Sequence, residues 1–144
     1  MAALILDASV LIGLLDSSDA HHGRAVNDVE RADQAGRPLI APASAYGEAL
    51  VAFARADRTH EARDAIAAMG IAIAPLTETV AERAAAVRAR HKHLRLPNAI
   101  VLACAEALEG ELLSYDDRLA QVVRATRDAQ IVSCPGPDPE VSAD

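Results

Sequence analysis

Aromatic side chains are almost missing: one Phe, two Tyr and no Trp in 144 residues. That excludes the stacked aromatic platform on which many proteins lay single-stranded nucleic acid. Cysteine is scarce as well. Cys104 and Cys134 are too few and too unpatterned for a disulfide framework or a zinc site, so both are read as structural or incidental thiols. Positive charge is short, with 14 Lys and Arg against 21 Asp and Glu and a formal net charge of −7. A protein that binds nucleic acid only by neutralising phosphates should be basic. An enzyme whose acids surround a cation is not excluded, because the cation reverses the local field. The acidity also suits a basic, Arg-bearing protein partner. No apolar run approaches a membrane span. The first apolar run has no basic flank and breaks at Asp7, so no signal peptide is expected and the cytoplasm is the expected location. No Gly-rich phosphate loop is present.

What is abundant is small aliphatic material, mostly Ala, Leu, Val and Ile, within a hydrophobic fraction of 51%. Such residues suit closely packed helices and buried parallel strands. Strand and helix signals alternate without a linker or repeat, which predicts one α/β domain over residues 1–133 with a central, mostly parallel sheet of about five short strands flanked by helices. Strands are expected at 3–6, 38–41, 71–74, 111–114 and 130–133. Helices are expected at 9–15, 20–35, 44–55, 59–69, 79 to about 94, 98–108 and 116–124. Thr79 and Glu82 fit a capping box, and Pro97 fits a first helical position. Residues 134–144, rich in proline and acid, read as a disordered tail.

Four acid or amide side chains fall where these strands give way to helices: Asp7, Glu48, Asn98 and Asp116. In an open α/β sheet the carboxyl ends of the strands face the ligand crevice, so such residues converge in space. Converging carboxylates repel unless a cation neutralises them, and a divalent metal is the usual solution. Each also has a plainer explanation. Asp7 can be a helix N-cap, although Ser9 could serve instead. Glu48 has Ser44, Ala45, Val51 and Ala52 as helical neighbours, which predicts an inward-facing carboxylate held by a metal or by an arginine such as Arg55. Asp116 and Asp117 are adjacent, with Asp117 expected as the solvated cap and Asp116 as the ligand. Ser114 is positioned to orient Asp116 or a phosphate. Asn98 can offer a carbonyl oxygen to Mg²⁺, or can simply cap its helix.

Arg90, Lys92 and Arg95 belong to a basic run with Arg88, His91 and His93. Cations of this kind complement the negative end of a helix, and the same residues could form a phosphate-guiding edge. His22 shares a face with Ala25 and Val29 and is expected to be half-buried packing; His21 is expected to be exposed.

Together, Leu6-Asp7-Ala8-Ser9-Val10-Leu11, Glu48, Leu96-Pro97-Asn98-Ala99-Ile100 and Leu113-Ser114-Tyr115-Asp116 resemble the PIN-domain nucleases, and within them the VapC ribonuclease toxins of bacterial toxin–antitoxin pairs. The resemblance spans about residues 3–133 and lies in the order and spacing of the motifs. It implies that Asp7, Glu48, residue 98 and Asp116 form an acidic quartet binding Mg²⁺ or Mn²⁺, with Ser114 matching a family Ser/Thr. It further implies RNA cleavage, a homodimer and a cognate antitoxin. Position 98 departs from the family pattern, which has Asp. Asn98 is read as an inactivating change that keeps shape and deletes charge, with a naturally weakened site as the alternative. In either case this chain is expected to be a poor nuclease.

Other acid-bearing α/β classes fit less well. A receiver domain needs an Asp after the third strand and a Lys after the fifth, where this chain has Pro75-Leu76-Thr77 and Cys134-Pro135. A haloacid-dehalogenase-like phosphatase needs Asp-x-Asp where Asp7-Ala8-Ser9 stands. The remaining alternative is a non-catalytic protein- or RNA-binding module on the same scaffold.

Overall fold

The computed structural model of the chain describes residues 1–126 and 130–133; the expected tail and Cys134 lie outside them. The elements run β1 (Leu4–Leu6), α1 (Ala8–Leu15), α2 (His22–Gln34), β2 (Leu39–Pro42), α3 (Ala43–Arg55), α4 (Thr59–Ala68), β3 (Ile71–Ala74), α5 (Glu78–Arg90), α6 (Leu96–Ala107), β4 (Glu111–Leu113), α7 (Asp117–Thr126) and β5 (Gln130–Ser133). The five strands form one parallel sheet in the order β3-β2-β1-β4-β5. The α/β architecture expected from the sequence is therefore the one observed.

Strand order follows from burial. Leu4, Ile5 and Leu6 are all at most 2% exposed, as a central parallel strand covered on both faces must be. β3, with Ala72 and Ile73 exposed, stands at the edge. From β1 the chain builds outward to β2 and β3, then returns to the other side of β1 to lay down β4 and β5. The strand order thus reverses between β1 and β4, and the crevice beyond their carboxyl ends is where an open sheet of this kind binds ligands. Asp7 directly follows β1; Ser114 and Asp116 directly follow β4.

Helix α6 is the buried support of this crevice. Its residues Ala99 and Val101 through Ala105 are buried, and it packs on α5 and on β1, β2 and β4. Gly36 and Gly70 have φ of 75° and 73°, the left-handed conformation that ends α2 and α4 and sends the chain back into β2 and β3.

Some helix ends differ from expectation. Helix α5 is capped by Thr77, whose side chain accepts the Val80 N–H at 3.2 Å; the expected Thr79–Glu82 box does not form because Thr79 already lies inside the first turn. The same helix stops at Arg90, and Leu94 turns into the core at 3% exposure. Helix α6 starts at Leu96 with Pro97 second, a position whose missing N–H leaves no helical bond unmade. Helix α7 starts one residue later than expected, at Asp117.

Gly110 is required for its lack of a side chain. A Cβ there would lie 2.9 Å from the Ala3 carbonyl oxygen and 2.9 Å from Ile5 Cγ1, and that carbonyl is fixed by the Glu111 N–H at 2.9 Å. Gly110→Ala should therefore push β4 off β1 and destabilise the fold by about 1–3 kcal/mol. Thermal melting checks this: a Tm equal to that of the parent chain would show that the β1–β4 approach is slack.

Candidate active site

Asp7 is the buried anchor of the crevice, only 3% exposed. It caps α1 through Oδ1, which accepts the Val10 N–H at 3.1 Å. The Ser9 hydroxyl donates to the same oxygen at 2.5 Å, and the Ser114 hydroxyl donates a very short bond to Oδ2. Each serine oxygen also accepts a backbone N–H from the segment after β4: Tyr115 N–H to Ser9 across the crevice at 3.0 Å, and Asp116 N–H to Ser114 within the same segment at 3.0 Å. Two hydroxyls thus tie the Asp7 carboxylate to the segment that carries Asp116. Burial is the main influence on Asp7 and raises its pKa above the ordinary aspartate value; the serine and Val10 hydrogen bonds pull it down, and the Asp116 charge adds to the rise.

Asp116 also has two duties. Its Oδ1 accepts the N–H groups of Arg118 at 2.9 Å and Leu119 at 3.4 Å, so Asp116 caps α7, the task expected of Asp117. Its Oδ2 receives the Asn98 amide Nδ2–H at 3.3 Å. Asn98 is the third residue of α6, whose N-cap is Arg95; the capping explanation for this amide therefore does not hold.

Glu48 corrects one expectation. It is exposed on α3, as are Val51 and Ala52, while Ala45 is buried, so the shared helical face does not turn the carboxylate inward. Glu48 nevertheless senses the site. Its pKa is raised by partial burial first and then by the Asp7 charge, while Arg95 lowers it. Glu48, Asn98 and Asp116 line one pocket of about 280 Å³, together with Arg95 and Arg118. Asp7 lies close enough to couple electrostatically to both Glu48 and Asp116.

Arg90 and Lys92 are not in this pocket but line an adjoining one with Arg118. Arg118 itself escaped the sequence reading, although a signal existed: a cation in the first turn of α7 opposes the helix dipole and so needs another reason to be there. The serine at position 9 was read only as a spare cap. Tyr115 was also missed; it is buried, donates to Asp28 Oδ2 at 2.7 Å, and carries the Arg24 guanidinium over its ring at 4.8 Å. His21, expected to be exposed, is half-buried and stacks on Tyr115 with ring centroids 5.0 Å apart. His22 is half-buried, its Nδ1 2.7 Å from the Gly13 carbonyl oxygen.

The donor chemistry suits a hard divalent cation: carboxylate oxygens from Asp7, Glu48 and Asp116, and an amide carbonyl from Asn98 once its side chain turns over. Burial is the main reason Asp7 and Glu48 stand above their ordinary pKa values, and a neighbouring carboxylate charge adds to the rise in each. The set is one carboxylate short. Among the described residues no group of three or more His, Cys, Asp or Glu is gathered closely enough to hold a metal by itself.

Similarity to known proteins agrees with this architecture. No curated protein sequence matches the chain significantly. Solved structures do. A toxin–antitoxin complex from Klebsiella pneumoniae superposes with a TM-score of 0.66 at 23% identity, covering 88% of this chain and 95% of the other. VapC20 of Mycobacterium tuberculosis, described as a Sarcin-Ricin loop cleaving toxin, gives 0.65 at 18% identity, covering 83% and 94%. VapBC2 from Rickettsia felis, bound to a DNA fragment from its promoter, gives 0.70 at 6% identity, covering 92% and 98%. The PIN domain family model matches residues 4–125, a span that includes β1, Asp7, Glu48, Asn98 and Asp116, and the chain belongs to the PIN-domain family.

Proposed function

We propose that this protein is a metal-dependent endoribonuclease of the VapC toxin type, and that Asn98 impairs the activity of this chain. The observation that carries the reading is that Glu48, Asn98 and Asp116 line one pocket beyond the strand ends, with the buried Asp7 near enough to couple electrostatically to both acids. The structural neighbours, which are toxins and toxin–antitoxin complexes, support the same reading.

In this reading Asp7, Glu48 and Asp116 would hold Mg²⁺ or Mn²⁺, with the Asn98 carbonyl as a weaker neutral ligand. When bound, such a cation lowers the pKa of water and neutralises charge on the scissile phosphate. The chain's own residues supply position. Ser9 and Ser114 fix the Asp7 carboxylate, and the α7 cap fixes Asp116. Arg95 and Arg118 border the pocket where a phosphodiester would lie. Water would attack phosphorus in line with the departing ribose oxygen; the new P–O bond forms as the P–O bond to the ribose breaks, and the proton that water gives up is balanced by the one the ribose oxygen takes from solvent.

A cognate antitoxin and a second copy of the chain are the proposed partners. A groove of about 380 Å³ lined by Ile12, Leu15, Ala49, Ala52 and Phe53 opens onto Glu48. Its apolar walls and acidic end suit a protein segment that carries a basic residue, as the net charge of −7 also suggests.

A second reading has one observation in its favour. The Asn98 amide already donates to Asp116, which partly satisfies the site without a cation, as a non-catalytic RNA- or protein-binding PIN module would require. Asn98→Asp separates the two. On the nuclease reading it should raise Mg²⁺-dependent cleavage of total RNA on the order of 10²-fold, because a fourth carboxylate restores the attraction for the cation that neutralises the anionic transition state. EDTA should abolish the gain. Equal cleavage by the two forms would refute the impairment, and no cleavage by either in Mg²⁺ or Mn²⁺ would leave the binding module.

The pH dependence has a definite sign. The folded-state pKa values of Asp7 and Glu48 are raised, so between the ordinary carboxylate range and those raised values the native state binds protons that the unfolded state does not. Stability of the metal-free protein should rise as pH falls from neutrality through that window, and level off in the ordinary carboxylate range. Saturating Mg²⁺ should flatten the rise, since it stabilises the ionised form, and Asp7→Asn should remove most of it. Melting curves at pH 7 and pH 5 with and without Mg²⁺ measure this; a metal-free Tm that falls on acidification would overturn it.

A further inference from the structure

The acid pocket does not end at Asp116. It shares His93, Leu94 and Arg118 with a second, larger hollow of about 820 Å³ between the 90–94 segment and α7, whose other lining includes Arg90, Lys92 and Gln121. In a chain of net charge −7, this hollow and its junction with the site collect Arg90, Lys92, Arg95 and Arg118. All four are exposed. Among the described residues the ion pairs are Arg37–Glu111, Arg58–Glu61 and Arg63–Asp64, so none of the four cations is spent on a salt bridge.

The helix-dipole explanation covers only part of this set. Arg90 sits in the last turn of α5, where a cation is favourable. Arg95 is the N-cap of α6 and Arg118 lies in the first turn of α7, both at the positive ends of helices, where a cation is unfavourable. Helix stability does not account for those two arginines. Both border the acid pocket, where an incoming anion would be drawn to arginine and helix terminus together.

We propose that the hollow is a phosphate-tracking trough that carries a single-stranded segment of the RNA substrate into the acid site. Arg95 and Arg118 flank the scissile phosphate, and Arg90 and Lys92 hold phosphates further along the same strand. This rests on the nuclease reading and adds the path of the substrate to it. The trough has no Phe, Tyr or Trp in its lining, where His91 and His93 supply the aromatic rings, so it grips the strand chiefly by charge on the backbone. Its binding is therefore strongly salt-dependent and indifferent to sequence, and selectivity arises elsewhere.

The test uses the full chain and a fluorescein-labelled single-stranded RNA, with anisotropy titrations in EDTA and in Mg²⁺ across a range of NaCl. The plot of log affinity against log salt should lose about 0.7 in slope for each phosphate contact removed. Arg90→Ala with Lys92→Ala should flatten it by about 1.4 in sum and weaken binding several-fold at low salt. Arg118→Ala should flatten it by about 0.7. Arg63→Ala, which removes an exposed arginine paired with Asp64, should change neither quantity.

Cleavage by the same variants in the Asn98→Asp background separates this proposal from the one it rests on. Weakened, flatter binding together with absent cleavage keeps the trough and overturns the nuclease reading. Active cleavage with unaltered salt slope and unaltered kcat/KM in the Arg90/Lys92 and Arg118 variants overturns the trough and keeps the nuclease. Equal losses in Arg63→Ala would also overturn it, since net charge alone would then explain the binding.

Discussion

The arrangement depends on one buried carboxylate and the two hydroxyls that hold it. Ser9 and Ser114 each donate to Asp7 and each accept a backbone N–H from the Tyr115–Asp116 segment. Donor and acceptor capacities are thus matched across the gap between β1 and β4. A buried aspartate without such partners would be neutral or would unfold its surroundings. With them, the carboxyl group is held at the floor of the crevice and simultaneously fixes the strand end that bears Asp116. The geometry of the crevice and the closure of the sheet are therefore one network, and neither serine can be removed without releasing both.

The same site concentrates electrostatic features that work against stability. Carboxylates repel across the crevice, and Arg95 and Arg118 oppose the dipoles of α6 and α7. Elsewhere the local choices agree with the fold: Thr77 caps α5, Gly36 and Gly70 end helices, and the central strand β1 is wholly aliphatic. Rules obeyed throughout a fold and broken at one place mark that place as functional. Acids alone would suit a cation store, and arginines alone would suit a phosphate sink. Their alternation around one pocket suits a reaction in which a cation and a phosphodiester must meet.

Much of this was legible in the sequence because the signals were local. Short aliphatic strands separated by amphipathic helices announce a parallel sheet, and Asp7, Glu48, Asn98 and Asp116 stood out at strand and helix boundaries. What sequence pattern missed depended on distance. The Ser9 hydroxyl meets Tyr115 across more than a hundred residues, a partnership no window reveals. Glu48 was misjudged as inward-facing because helical periodicity tells which residues share a face and not whether a neighbouring element fills it; around Val51 and Ala52 none does. Cap assignments slipped for a related reason. Adjacent candidates such as Asp116 and Asp117, or Thr77 and Thr79, differ only in which backbone adopts the extended conformation, and tertiary contacts decide that.

Position 98 shows how the site balances folding against chemistry. An aspartate there would face Asp116 with no proton to offer, so two carboxylates would be left in contact and the crevice would need a cation to relieve them. The amide supplies a donor instead, and the Asn98–Asp116 bond relieves part of the repulsion from within the chain. What the amide gives in self-sufficiency it removes from the attraction for metal, because a neutral ligand contributes no charge and its donor group must first turn away from Asp116. The cation then competes with an internal hydrogen bond as well as with water. A crevice stable without metal is on these grounds a weaker metal site, and the single atom that distinguishes Asn from Asp moves it in both respects at once.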